Sequence, residues 1–273
     1  MEDNSNLIKG FRNVDTVETS TQAVRFLEAM NASHYVKEAV RLTYRLLGVR
    51  EGAHLLDAGC GVGDVPRELG ELVGKNGRVM GLDRSEYMVT QARQRTEGTG
   101  LPVEYQVGDI HHIPFPDESF DGCRSSRVFI YLDDPRQALS ELLRVARPGG
   151  AVVLFEPELD SWILNGPDRD VVRKLVHFWN EQTRNPWIGR QLPQLFHSLG
   201  FTDIQAIPVV GTWTLGAVEQ FGLRAMTDRA VAEGVVTRAQ VDEWIHFMEE
   251  ADKADSFFSA SMAVVVGGRK PTK

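Results

Sequence analysis

Residues 55–64 read Leu-Leu-Asp-Ala-Gly-Cys-Gly-Val-Gly-Asp, a short apolar run leading into three alternating glycines, Gly59, Gly61 and Gly63. Glycine lets a chain turn sharply and lets another group approach the backbone closely. A helix-like segment follows over Asp64–Val73, so the run reads as a buried strand with a loop at its C-terminal edge. In open α/β sheets that edge is where nucleotide-like ligands sit. Three alternating glycines would be an extravagant way to make a strand–helix turn that binds nothing.

The flanking chain repeats the pattern. Ser33–Leu47 carries a helical apolar stripe through Val36, Val40 and Leu47, with Gly48 as its stop. Strands are expected at His54–Asp57, Arg78–Leu82, Val103–Val107, Phe120–Ser126 and Ala151–Glu156. Ser85 caps the helix after the second. Asp134, Pro135 and Gln137 form a capping-box-like start for a helix buried through Ala138, Leu139 and Leu142. Arg147-Pro148-Gly149-Gly150 reads as a turn. Beyond Glu156 the alternation breaks into helical stretches around Asp168–Thr183, Gln191–Leu199 and 216–255, with strands at Asp203–Val210 and Ser259–Val266. The last strand follows the helical stretch too closely for an ordinary crossover, so it is expected antiparallel. The expected fold is a Rossmann-like, seven-stranded, mostly parallel sheet in a single domain spanning 1–273. Residues 1–32 form an N-terminal arm or cap, and 157–190 and 211–255 form helical lids.

Composition limits the partners. A formal net charge of −8 and the absence of a basic stripe argue against nucleic acid. Two cysteines, Cys60 and Cys123, without zinc spacing argue against a metal site or a disulfide framework. The N-terminus lacks the marks of a signal peptide, and no apolar run could span a bilayer. A cytoplasmic protein acting on a small molecule is the expectation.

Two acids bear on the ligand. A dinucleotide fingerprint would place a third-spaced glycine at position 64, where this chain has Asp64. Asp57 and Asp64 would repel a pyrophosphate and suit cationic groups. Asp83, at the end of the second strand, can accept from ribose hydroxyls, as an ionised carboxylate readily does. NAD enzymes use the same device, so Asp83 alone does not discriminate.

Four segments in order, LLDAGCGVGD, GLDRSEYMVTQAR, VGDIHHIPFPDESFD and ELLRVARPGGAVVLFEP, resemble the successive motifs of class I S-adenosylmethionine (SAM)-dependent methyltransferases. They look closest to the ubiquinone/menaquinone C-methyltransferase-like (methyltransferase type 11) group, which includes many natural-product enzymes. The resemblance spans about residues 35–160. It implies that Asp57, Gly59, Cys60 and Gly61 surround the amino-acid end of SAM and that Asp83 holds the ribose. It further implies Arg84 and Met88 beside the adenine, Asp109 accepting from the adenine amino group with Gly108 and Ile110 alongside, and Ser126 and Arg127 bordering the methionine moiety. The family often has a His where this chain has Tyr131, a departure that bears against His-based catalysis there.

Methyl transfer from a sulfonium is a displacement in which the protein mainly aligns the reactants, and a base is needed only for a protonated acceptor. Tyr131 and Glu156, at strand ends, are the catalytic candidates. Of His111 and His112, adjacent in an extended loop, at most one should face a pocket. His177, His197 and His246 are expected at satisfied or exposed positions. Trp162, Trp179, Trp187, Trp213, Phe221, Trp244, Phe247 and Met248 concentrate in the lid segments. They are divided between acceptor pocket and helix packing, with Trp187 and Trp213 as the substrate-contacting candidates. The expected reaction is transfer of a methyl group to an O, N or C atom of a small, largely apolar or aromatic metabolite. A non-methylating reaction on the same scaffold, such as cyclisation, is the alternative.

Overall fold

Short apolar strands and amphipathic helices alternate through the first part of the chain. In the computed structural model, which describes residues 24 and 27–272, they build a seven-stranded sheet. The elements are α1 (His34–Leu47), β1 (His54–Ala58), α2 (Asp64–Val73), β2 (Arg78–Asp83), α3 (Glu86–Thr96), β3 (Val103–Val107), β4 (Phe120–Ser126), α4 (Pro135–Val145) and β5 (Ala146–Leu164). They continue with α5 (Arg169–Asn180), α6 (Ile188–Ser198), β6 (Thr202–Thr212), α7 (Leu215–Gln220), α8 (Leu223–Ala232), α9 (Arg238–Lys253) and β7 (Ser259–Arg269). The strand order is β3-β2-β1-β4-β5-β7-β6. Neighbours from β3 to β5 pair in parallel, and β7 runs antiparallel to both β5 and β6. Most of the expected N-terminal arm lies outside the described residues; residues 27–32 are helical.

Two apolar layers sandwich the sheet. One packs α4 and α6 against it through Leu139, Leu142, Leu192 and Phe196; the other packs α1 and α2 through Val36, Ala39, Leu69 and Val73. A third cluster joins α5, α7, α8 and α9 through Leu175, Val218, Met226, Val241 and Trp244. Helix starts follow local chemistry. Ser33, Ser85, Asp134 and Asp168 accept from backbone amides of the first turn. At Asp134 the expected box is half formed, because the Gln137 side chain donates to the His111 carbonyl instead. A complete box closes α9 at Thr237 and Gln240.

The structure corrects the reading of two segments around β5. Arg147-Pro148-Gly149-Gly150 belongs to an irregular start of that strand, which shifts register against β4 there. Residues 157–164, expected in a lid, continue β5 and pair with β7 as far as Leu164↔Ser259. Pro157 is tolerated because β4 has already ended. The last β4 partner is Phe155, whose carbonyl faces that side, so the missing amide of Pro157 falls on a vacated edge.

Candidate active site

At the C-terminal edge of β1, β2 and β4 lies a cavity of about 860 Å³. Its floor is the glycine loop. Gly59, Gly61 and Gly63 all have positive φ. A Cβ on Gly59 would stand 2.2 Å from Val128 Cγ2, so the loop must be bare there to pass the chain that follows β4. The amides of Gly59 and Cys60 bond the Leu82 carbonyl. The Gly61 amide donates to Asp83 Oδ2 at 2.8 Å and the Ser85 amide to Asp83 Oδ1 at 3.0 Å. Asp83 therefore ties the glycine loop to the start of α3. Asp83 also lines the cavity, where a carboxylate can accept from a ligand's hydroxyl groups.

Asp57 is buried and bonds Arg124 Nη1 at 2.7 Å, the two side chains sitting side by side on paired strands. Burial pushes the Asp57 carboxyl up, and the guanidinium opposes that shift. Breaking such a buried pair costs about 3–5 kcal/mol. Asp64, at the start of α2, binds Arg67 and Asn31, and Asn31 in turn accepts from Arg127 Nη2 at 2.6 Å. This chain of contacts draws the 27–32 helical segment over the cavity, where Leu27, Met30 and Asn31 line it.

At the far end of the loop, Asp109 accepts from the His111 amide at 2.8 Å and from His111 Nδ1 at 2.7 Å. Burial alone would raise the Asp109 carboxyl, but the His111 bonds outweigh it and hold it below the usual range. Both His111 and His112 line the cavity. The segment is a turn, closed by a bond from the His112 amide to the Asp109 carbonyl, so the alternation expected of an extended loop does not apply. His177, His197 and His246 are exposed.

Of the residues singled out from sequence, Asp57, Gly59, Cys60, Gly61, Asp83, Arg84, Met88, Gly108, Asp109, Ile110, Ser126, Arg127, Tyr131 and Trp213 meet around this one cavity. Met88 and Ile110 are buried apolar walls, and Arg84 is exposed at the rim. Burial pushes the Cys60 thiol up, away from nucleophilic chemistry.

Two candidates lie elsewhere. Glu156 is fully buried outside the cavity wall and accepts from the amides of Val128, Phe129 and Ile130 at 2.9–3.3 Å. It clamps the turn after β4 instead of facing a ligand. Its carboxyl is pushed up to about 7 by burial, against the pull of those amides. Trp187 is 48% exposed and covered by the Arg190 guanidinium, outside the cavity.

The wall formed by β5, β6 and the helical cluster is aromatic. Trp162 meets Trp179 edge-on at 4.5 Å and Phe221 at 6.2 Å; Phe221 meets Trp213 at 5.0 Å, and Trp213 meets Tyr35 at 5.3 Å. The indole N–H groups of Trp162 and Trp213 donate to Ser259 and Ser261, which fixes both rings from β7. Trp244 and Met248 are interior to the helical cluster. Sequence reading missed Tyr35, Arg124 and Glu158 on the cavity wall. An arginine inside an apolar strand was the available signal for Arg124. Glu158 was hidden by the assumption that β5 had ended.

The donor set fits SAM. Carboxylates Asp57 and Asp83 stand where cationic and hydroxyl groups would lie, the bare glycine loop admits a close ligand, and Arg124, Ser126 and Arg127 keep buried polar atoms without hydrogen-bond partners. Comparisons with known proteins agree. A family model described as "Methyltransferase domain" matches residues 56–154. A 37.1 kDa protein of transposon TN4556 from Streptomyces fradiae is 36% identical over 253 residues, covering 91% of this chain and 72% of that protein. Demethylmenaquinone methyltransferase of Listeria monocytogenes serotype 4a is 30% identical over 181 residues, covering 60% of this chain and 76% of that enzyme. Phosphoethanolamine N-methyltransferase 2 of Haemonchus contortus, solved with SAM, shares the fold with a TM-score of 0.59 at 19% identity, covering 96% of this chain and 60% of that one.

Proposed function

Because the chain belongs to the class I SAM-dependent methyltransferases, we propose that it methylates an O, N or C atom of a small, largely apolar or aromatic metabolite. The observation that carries this reading is the aromatic wall. Tyr35, Trp162, Trp179, Trp213 and Phe221 line the same cavity as the glycine loop and Asp83. Such a wall buries a planar, apolar body, while a few polar groups fix its orientation.

Bound SAM supplies an electrophilic methyl group on a sulfonium. The protein's own work is alignment. Asp83 and the glycine loop fix one reactant, and the aromatic wall holds the other against it, which removes several kcal/mol from the barrier. Tyr131 lines the cavity, and burial pushes its phenol far up. It therefore stays protonated and serves as a hydrogen-bond donor that orients the acceptor; a base role does not suit it. Arg127, also on the cavity wall, adds positive charge that favours an acceptor losing a proton as it reacts.

The test is incubation of the protein with SAM and a metabolite extract, followed by mass spectrometry. The expected outcome is S-adenosylhomocysteine in equal amount to a product heavier by one methylene. A product of unchanged mass, with SAM intact, would instead support cyclisation.

A further inference from the structure

On the aromatic wall, the indole N–H groups of Trp162 and Trp213 are taken by Ser259 and Ser261, and the Glu158 carboxylate by Arg190. Tyr35 and Thr183 differ. Both line the cavity and are only 8% and 7% exposed, yet neither hydroxyl makes a hydrogen bond among the described residues. Both hydroxyl oxygens keep accessible surface, unlike the sealed Oγ atoms of Ser125 and Ser126. A hydroxyl so deeply placed normally has a partner, and leaving it without one is costly. Two such groups on one cavity point to a ligand that pairs them.

Their placement narrows what that ligand is. Five rings form a chain of edge contacts, from Tyr35 through Trp213, Phe221 and Trp162 to Trp179. Tyr35 is one end of the chain. Thr183 stands at the other, just past the end of α5, which carries Trp179 in its last turn. The two hydroxyls therefore bracket an apolar stretch. The Tyr35 ring is firmly seated. Trp213 lies 5.3 Å and Phe155 6.4 Å from it, and a Cβ on Gly211 would stand 2.5 Å from its Cγ, so β6 must be bare where the ring crosses. Burial pushes the Tyr35 phenol far up, which keeps it a donor. The Thr183 hydroxyl can donate or accept.

We propose that Tyr35 and Thr183 determine acceptor specificity, each hydrogen-bonding an oxygen function at one end of the acceptor's planar apolar body. The proposal deepens the methyltransferase reading and rests on it. The rings alone would admit any flat hydrocarbon. The hydroxyls add a requirement for a hydroxyl or carbonyl oxygen at both ends, because a compound without them strands the site's own polar groups.

The experiment is equilibrium dialysis of the protein loaded with S-adenosylhomocysteine against two probes. One is the naphthalenediol whose hydroxyls stand at opposite ends of the fused rings; the other is naphthalene, which has none. Wild type, Tyr35→Phe, Thr183→Val and the double variant are compared, since both substitutions keep shape and remove the hydroxyl. Wild type is expected to bind the diol ~4- to 100-fold more tightly, from two neutral hydrogen bonds at ~2- to 10-fold each. Each single variant should lower that preference by ~2- to 10-fold, with naphthalene affinity and melting temperature unchanged. The double variant should bind the two probes equally. Equal binding by wild type overturns the proposal, as does a loaded wild type that binds neither probe. A preference that the double variant retains also overturns it. Failure of S-adenosylhomocysteine to load removes the methyltransferase reading itself, and the proposal with it.

Discussion

The two sides of the cavity are built on different physics. On the β1–β4 side, the contacts that hold the glycine loop and the loop after β3 are polar, and those to Ser85 and His111 are local in sequence. Asp83 holds the amides of Gly61 and Ser85, and Asp109 holds the adjacent His111. On the β5–α9 side, contacts are apolar and assembled from afar. Trp162, Trp179, Trp213 and Phe221 come from four separate elements or their ends, held edge to face. The first arrangement is directional, which suits one ligand of fixed shape. The second fixes shape and leaves chemistry open, which suits a surface that selects an acceptor.

Four variants break or sharpen this contrast. The largest effect is expected for Asp83→Ala. Losing two charge-assisted ribose bonds, each worth ~1.5–3 kcal/mol, should raise the Kd for S-adenosylhomocysteine ~10²–10⁴-fold. Calorimetry on a folded variant with unchanged affinity would place the ribose elsewhere. Next is Trp244→Ala, in the core of the helical cluster, where the indole donates to the Asn165 carbonyl at 2.9 Å. It should cost about 3–5 kcal/mol of stability in denaturant titration, with S-adenosylhomocysteine affinity kept in the folded fraction.

Glu156 lies at the seam, on β5 but clamping the turn after β4. Its folded carboxyl titrates near 7 against an ordinary 4.5, so the folded state holds a proton that the unfolded chain has released. Stability from this group is full below about pH 4.5 and is lost as pH rises to about 7, by roughly 3 kcal/mol. Glu156→Gln should flatten that slope in melting curves taken from pH 5 to 7.5; an unchanged slope would assign it to other groups. The smallest effect is Trp213→Ala. Turnover of the acceptor should fall ~10-fold, or ~1.4 kcal/mol, while S-adenosylhomocysteine affinity stays within about twofold. Loss of both together would make Trp213 structural for the whole cavity.

The contrast also explains what the sequence disclosed. The cofactor side was legible because its determinants are local. A strand, a glycine loop and an acid at the next strand end recur within about 30 residues, and a cap such as Ser85 acts within one turn. Fourteen of the sixteen named candidates meet at the cavity, nearly all from this side. The β5 side was harder to read because tertiary pairing overrode local signals. Pro157 and the acids Glu158 and Asp160 look like the end of a strand. Pro157 and Glu158 remain in one because they pair with β7 and Arg190 neutralises buried Glu158, while Asp160 falls in the irregular stretch before pairing resumes at Ile163. Glu156 shows the same limit. Its position at a strand end is visible in the sequence, but the amides that consume both its oxygens come from the turn at 128–130.

The division of labour itself is tested most directly by amide hydrogen exchange with and without S-adenosylhomocysteine, which requires no knowledge of the acceptor. Ligand that binds only the folded state slows local opening where it makes contact. The account predicts protection concentrated at residues 59–63, 83–88, 108–112 and 126–131, with the amides of α7, α8 and α9 unchanged. Equal protection across those three helices would contradict it.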